Sequence, residues 1–247
     1  MRLNVIPRAA GPRLAGLVLA AGAGARYGSP KALVVDTTGE PWVVRAALAL
    51  ADGGCDPVFV VLGAGGAEAE TLLRGSVGRF DRPDRLRVVH AAHWADGLSA
   101  SLSAGLAELS GPEADAGGPD TDGPDAGRPA ADSADDRAAD SAADSAADTA
   151  EAPVTAVVLV PVDVPDLSAA TVRRLATAVT PDTLRQAHFA GRPGHPVVIG
   201  RAHWAALRAG LTGDTGARPY LLANGVQAVD CDDLGTGLDV DAPSAPA

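Results

Sequence analysis

Arg26 and Lys31 share a loop with three glycines, Gly22, Gly24 and Gly28, directly after an apolar run from Leu14 to Leu19. Glycine lets a backbone turn tightly and approach a ligand closely. Free N–H groups together with two fixed cations form a cradle for a polyphosphate. The two commoner phosphate loops do not fit. A P-loop needs Gly-x4-Gly-Lys-Ser/Thr, whereas Lys31 follows Pro30 and precedes Ala32. In the dinucleotide fingerprint Gly22 and Gly24 fit, but Tyr27 stands where the third glycine belongs.

A second chemistry-bearing stretch is Val160-Pro161-Val162-Asp163-Val164-Pro165-Asp166-Leu167, which puts Asp163 just past the end of a strong apolar strand. A carboxylate facing a polyphosphate calls for a divalent cation between them, and Mg2+ suits hard oxygen ligands. Asp166 is placed to cap the helix that follows. Ser99 and Ser101 open another helix, where each hydroxyl can cap the helix or face a nucleotide. His195, Asp214 and Arg218 occur in glycine-containing stretches further on, and an arginine such as Arg218 can hold a phosphate bidentately.

Alternating elements must position these residues. Leu14–Leu19, Val58–Leu62, Arg87–Val89 and Thr155–Val162 read as strands. Trp42–Ala51, Ala67–Arg74, Ser99–Leu109 and Ser168–Val179 read as helices. Fully apolar strands separated by helices predict a mostly parallel sheet covered on both faces, a three-layer αβα architecture. Such sheets bind ligands at the carboxyl ends of their strands. After residue 180 the pattern changes to strands at His188–Phe189, Pro196–Ile199 and Val226–Val229, around a helix at His203–Ala209.

The chain has 247 residues and a net charge of −11, with 12 of its 31 acidic residues in segment 111–151. That segment is low-complexity Ala/Asp/Gly/Pro/Ser without Leu, Ile, Val or an aromatic residue, so it is expected to be a disordered acidic insertion in a surface loop. Residues 1–13 are expected to form a tail, and 14–247 a single domain carrying the insertion. The two cysteines, Cys55 and Cys231, lie far apart and indicate neither a disulfide framework nor a zinc site. No apolar run reaches a membrane span, no leader is evident, and no basic face suggests nucleic acid. A cytoplasmic protein is expected.

Leu19-Ala20-Ala21-Gly22, followed by Arg26, Gly28 and Lys31, resembles the signature loop of the MobA-like nucleotidyltransferases. Gly97-Leu98-Ser99-Ala100-Ser101-Leu102 and Asp163-Val164-Pro165 also resemble elements of that family. Gly194-His195-Pro196 and Gly213-Asp214-x-Gly216-Ala217-Arg218 are similar to its MocA branch, cytidylyltransferases acting on molybdopterin. Gly237-Leu238-Asp239-Val240-Asp241-Ala242-Pro243 resembles the family's Asp-Ile/Val-Asp-Thr-Pro element, with Ala242 in place of Thr.

The resemblance implies a Rossmann-like fold that moves CMP from CTP to the phosphate of molybdopterin, with pyrophosphate leaving. It implies that Arg26, Lys31 and Asp163 carry the chemistry. Leu19, Ala20, Ala21, Gly22, Gly24, Gly28, Ser99 and Ser101 would bind nucleotide, and the methyl of Ala21 would narrow the space beside the base. His195, Asp214 and Arg218 would meet the acceptor. Asp163 with Asp241, rather than Asp239, would hold Mg2+. A molybdenum hydroxylase apo-enzyme is the implied recipient. The alternatives are a GTP-using guanylyltransferase, a sugar- or polyol-phosphate nucleotidyltransferase, and a non-catalytic molybdenum cofactor carrier.

Overall fold

The structure, a computed structural model, describes residues 11–111 and 152–242. The expected tail before residue 11 and nearly all of the expected insertion lie outside these, as does Pro243.

β1 (Leu14–Ala20) is buried along its whole length, and its side chains alternate between two separate apolar clusters. Leu14, Val18 and Ala20 join one cluster; Ala15, Leu17 and Leu19 join the other. That alternation is the period-2 geometry of a strand covered on both faces. The first cluster is closed by α1 (Trp42–Asp52), α2 (Gly66–Gly75) and α4 (Ala169–Leu175). The second is closed by α3 (Leu98–Ser110), α5 (Trp204–Ala209) and α6 (Arg218–Ala223). Leu17 and Leu106 in the second cluster are fully buried, and truncating such a leucine typically costs about 2–5 kcal/mol.

The remaining strands are β2 (Val58–Leu62), β3 (Leu86–His90), β4 (Ala156–Pro161), β5 (Leu184–Phe189), β6 (Arg192–Gly200) and β7 (Gln227–Asp230). One seven-stranded sheet holds them in the order β3-β2-β1-β4-β6-β5-β7. β1 pairs in parallel with both β2 and β4, β2 with β3, and β5 with β7. β6 runs antiparallel to its neighbours β4 and β5. The expected mostly parallel αβα sheet is present, with this one reversed strand.

The strand expected at Pro196–Ile199 is longer, β6 taking in Gly194 and His195 as well. Three expectations need correction. α6 was not foreseen, and α4 stops at Leu175 instead of reaching Val179, near where Ala178 adopts a φ of 49°. Asp166 does not cap α4; the Ser168 hydroxyl accepts the Thr171 N–H at 3.1 Å. Neither Ser99 nor Ser101 caps α3, whose N-cap is Gly97. No described helix is long and apolar enough to cross a membrane.

Candidate active site

The glycine loop leaves β1 and folds on itself, the Gly24 carbonyl accepting the N–H groups of Tyr27 at 2.9 Å and Gly28 at 2.8 Å. Gly24 has a φ of +64°, and a Cβ there would lie 1.8 Å from the Ser29 carbonyl oxygen, so only glycine closes this turn. Among the described residues, the amides of residues 22–26 have no protein partner. They are the donors an anion needs.

The loop carries Lys31 to the end of β4. Its Nζ lies 2.7 Å from Asp163 Oδ2 and 3.2 Å from Asp241 Oδ1. The side chains of Lys31 and Asp163 are only 14% and 16% exposed, Asp241 59%. Burial alone would lower the Lys31 pKa, but hydrogen bonds and charge from Asp163 and Asp241 outweigh it and hold the ammonium above its ordinary value. Arg26, 84% exposed, approaches Asp241 Oδ2 at 3.9 Å.

Asp163 Oδ1 is buried and has no hydrogen-bond partner among the described residues. Two carboxylates thus converge on one cationic group, with one buried oxygen to spare. No three His, Cys, Asp or Glu side chains among the described residues form a ready metal site. This donor set fits a hard divalent cation that takes its remaining ligands from phosphates and water, as Mg2+ does. Asp163 and Asp241 would hold it.

A cleft of about 1060 Å³ opens beside these groups at the carboxyl ends of β1 and β4. Leu19, Leu98, Asp163, Phe189, His195 and Arg218 are among the residues that line it. Because β6 is reversed, its first residues reach this end of the sheet, which brings His195 to Asp163. His195 is pushed below its ordinary pKa by burial, against the opposing charges of Asp163 and Asp239. Its Nδ1 is buried without a partner among the described residues. Asp239 lines the cleft with His195, whereas Asp241 meets Lys31.

The other expected residues take less direct positions. Leu19, Ala20 and Ala21 are buried; of the three, Leu19 lines the cleft. Ala21, 3% exposed, packs its methyl in the cluster of Val61, Val89 and Ala91 rather than in the cleft. The narrowing of a base pocket by that methyl has no counterpart here. Ser99 and Ser101 are buried in the first turn of α3, the Ser99 hydroxyl lacking a partner among the described residues. Asp214 Oδ1 accepts the Leu98 N–H at 3.2 Å and the Gly213 carbonyl accepts that of Ser99 at 3.0 Å, so the 213–218 stretch ties down the start of α3.

Gln186, Phe189, Arg192 and Leu238 also line the cleft. Sequence reasoning missed them. The alternation Leu184-Arg185-Gln186-Ala187-His188-Phe189 was the available signal for the strand that carries two of them.

A phosphate-type loop, two carboxylates around one ammonium and a cleft at the strand ends define a nucleotidyltransferase-type α/β protein. Residues 16–228 match the MobA-like NTP transferase domain, and the chain belongs to that family. It is 32% identical, over 240 residues covering 93% of each chain, to the nicotine blue oxidoreductase of Paenarthrobacter nicotinovorans. A nucleotidyl transferase from Methanothermobacter thermautotroptrophicus shares the fold with a TM-score of 0.63 at 20% identity, over 94% of this chain and 93% of that one. A Mycobacterium tuberculosis protein solved as a manganese complex does so with a TM-score of 0.57 at 18% identity, over 89% and 88%.

Proposed function

We propose that this NTP transferase moves CMP from CTP to the phosphate of a molybdopterin-type acceptor, with Mg2+ held by Asp163 and Asp241. The observation that carries the reading is the meeting of Lys31, Asp163 and Asp241 at the mouth of the cleft, on the loop whose amides are open. An acceptor phosphate oxygen attacks the α-phosphorus, a P–O bond forms, and the bond to the α–β bridging oxygen breaks as pyrophosphate leaves. A phosphate monoester is already largely anionic near pH 7, so no side chain has to remove a proton from it. The 22–26 amides, Arg26 and Lys31 orient the triphosphate and neutralise the charge that grows on the leaving pyrophosphate. Mg2+, when bound, adds further neutralisation of the phosphate oxygens.

The choice of CTP and of molybdopterin rests on the likeness of the Leu19–Gly22, Gly194–Pro196 and Gly213–Arg218 stretches to the cytidine-using branch. His195 and Arg218, which line the cleft with Asp163, would meet the acceptor. The test is pyrophosphate release with each NTP, with and without molybdopterin. Release with CTP only when molybdopterin is present supports the reading. A preference for GTP, or for a sugar or polyol phosphate acceptor, replaces it with the corresponding transferase. Tight molybdopterin binding without pyrophosphate release under any NTP replaces it with a carrier.

A second reading is favoured by the 32% identical relative, which is named as an oxidoreductase of nicotine blue. On that reading the apolar lining of the cleft, which includes Phe189, Leu98 and Leu238, holds a flat heteroaromatic ring. Reduction of nicotine blue by a reduced nicotinamide, without any NTP, would favour it over transfer.

A further inference from the structure

The segment that brings Asp239 and Asp241 to the cleft, residues 235–241, contains no helix or strand. It follows β7 and has to be held by something other than regular secondary structure. Two fastenings do this, both to the loop after β4. Asp166 Oδ2 accepts three hydrogen bonds, from the Thr236 N–H and hydroxyl at 2.5 Å each and from the Gly237 N–H at 3.2 Å. Four residues further along, the Val240 N–H donates to the Asp163 carbonyl at 2.9 Å.

At the first fastening the backbone also packs against an aromatic ring. A Cβ on Gly237 would be 2.1 Å from Cε2 of Phe189, and Gly237 has a φ of +60°, so glycine is required for both space and conformation. Leu238 and Asp239 then line the cleft, and Asp241 arrives at Lys31. A carboxylate with three donors on one oxygen is a strong, charge-assisted anchor. Among the described residues, the only other backbone tie to this loop is the single bond at Val240, next to the residue being positioned.

We propose that Asp166 is a positioning residue, whose carboxylate buckles residues 235–241 onto the β4 loop and so sets Asp241 against Lys31. Asp166 touches neither nucleotide nor cation; it acts through the segment it holds. The inference rests on the reading of Asp241 as part of the cation site, and its test separates the two.

The experiment compares full-length wild type, Asp166→Ala, Thr236→Val and Thr236→Ser. Hydrogen exchange, followed by mass spectrometry, reads the segment directly and needs no ligand. Asp166→Ala and Thr236→Val should speed exchange across residues 236–240 at least several-fold, with β4 amides unchanged, and Thr236→Ser should restore protection. Mn2+ titration in the presence of CTP then reads the consequence. Loss of an outer-shell partner of a metal ligand typically weakens affinity 10–100-fold, and that is the loss expected for Asp166→Ala.

Combining Asp166→Ala with Asp241→Asn decides whether the effect passes through Asp241. The double variant should bind Mn2+ no more weakly than Asp241→Asn alone. Unchanged exchange in Asp166→Ala, or an additive loss in the double variant, overturns the proposal. If wild type binds no Mn2+ with CTP, the reading of the cation site fails, while the exchange result still judges the anchor.

Discussion

Asp163 gives one oxygen to Lys31 and keeps the other buried without a partner among the described residues. Asp163→Asn preserves the side-chain shape and deletes the charge. Removing a preorganised electrostatic group typically costs about 10²–10³ in rate. Pyrophosphate release at saturating Mg2+ should fall by at least that factor, with the melting curve little changed. Lys31 makes a complementary prediction. Its ammonium neutralises both carboxylates in the free protein, and removing one partner of such a cluster leaves the charges uncompensated. Lys31→Met should therefore bind Mn2+ without nucleotide about tenfold more tightly than wild type, a difference worth about 1.4 kcal/mol. Titration calorimetry on the nucleotide-free proteins checks it. Gly22, Arg26, Lys31 and Asp163 were legible in the sequence because each lies in a short stretch with fixed internal spacing. The Ala21 methyl was misjudged because its direction follows from strand alternation, which points it into the core. The meeting of Asp241 with Lys31 joins residues 210 positions apart, which no local pattern records.

Among the elements, the β5–β6 hairpin shapes the acceptor side of the cleft. Its turn residues, Ala190 and Gly191, have φ values of 48° and 73°, the both-positive pattern of a type I′ turn. Glycine tolerates this at the second position; alanine at the first is strained by about 1–2 kcal/mol. The Asp232 carboxylate offsets part of that by accepting the Ala190 N–H at 2.5 Å. Ala190→Gly should raise the melting temperature by about 2–4 °C, the shift expected per kcal/mol in a chain of this size, and a thermal melt measures it. Only part of each hairpin strand, His188–Phe189 and Pro196–Ile199, was read from the sequence; Pro193 and Gly194 hid the start of β6, since such residues argue against a central strand. The structure accommodates both prolines because β6 pairs with β4 only from Val197 to Gly200. Beyond that, only β5 flanks it. The buried strands β1, β2 and β4 were readable because they are apolar on both faces, and α6 was not because it is short and opens with a proline next to Arg218.

Across the whole molecule, the sheet has a chemical pole and an opposite pole. The glycine loop, Asp163 and the start of β6 gather at the carboxyl ends of β1 and β4. The points where the described chain breaks off, Gly111 after α3 and Ala152 before β4, belong to the other pole. Arg13, just ahead of β1, donates to the Ala152 carbonyl at 2.9 Å, and the Thr155 N–H donates to the Arg13 carbonyl at 2.7 Å. The six residues of β4 put about 20 Å between this pole and the cleft. Deleting residues 112–150 should therefore leave pyrophosphate release and the melting temperature close to wild type, since loop closure depends only weakly on length. Activity assays and melts of the deletion variant check this. The same separation makes the remote pole a natural handle. A dye, a surface tether or a fused domain attached there would leave the mouth of the cleft facing outward. A large macromolecule could then still be presented to the cleft, and its binding could be watched on immobilised molecules without obstructing the cleft mouth.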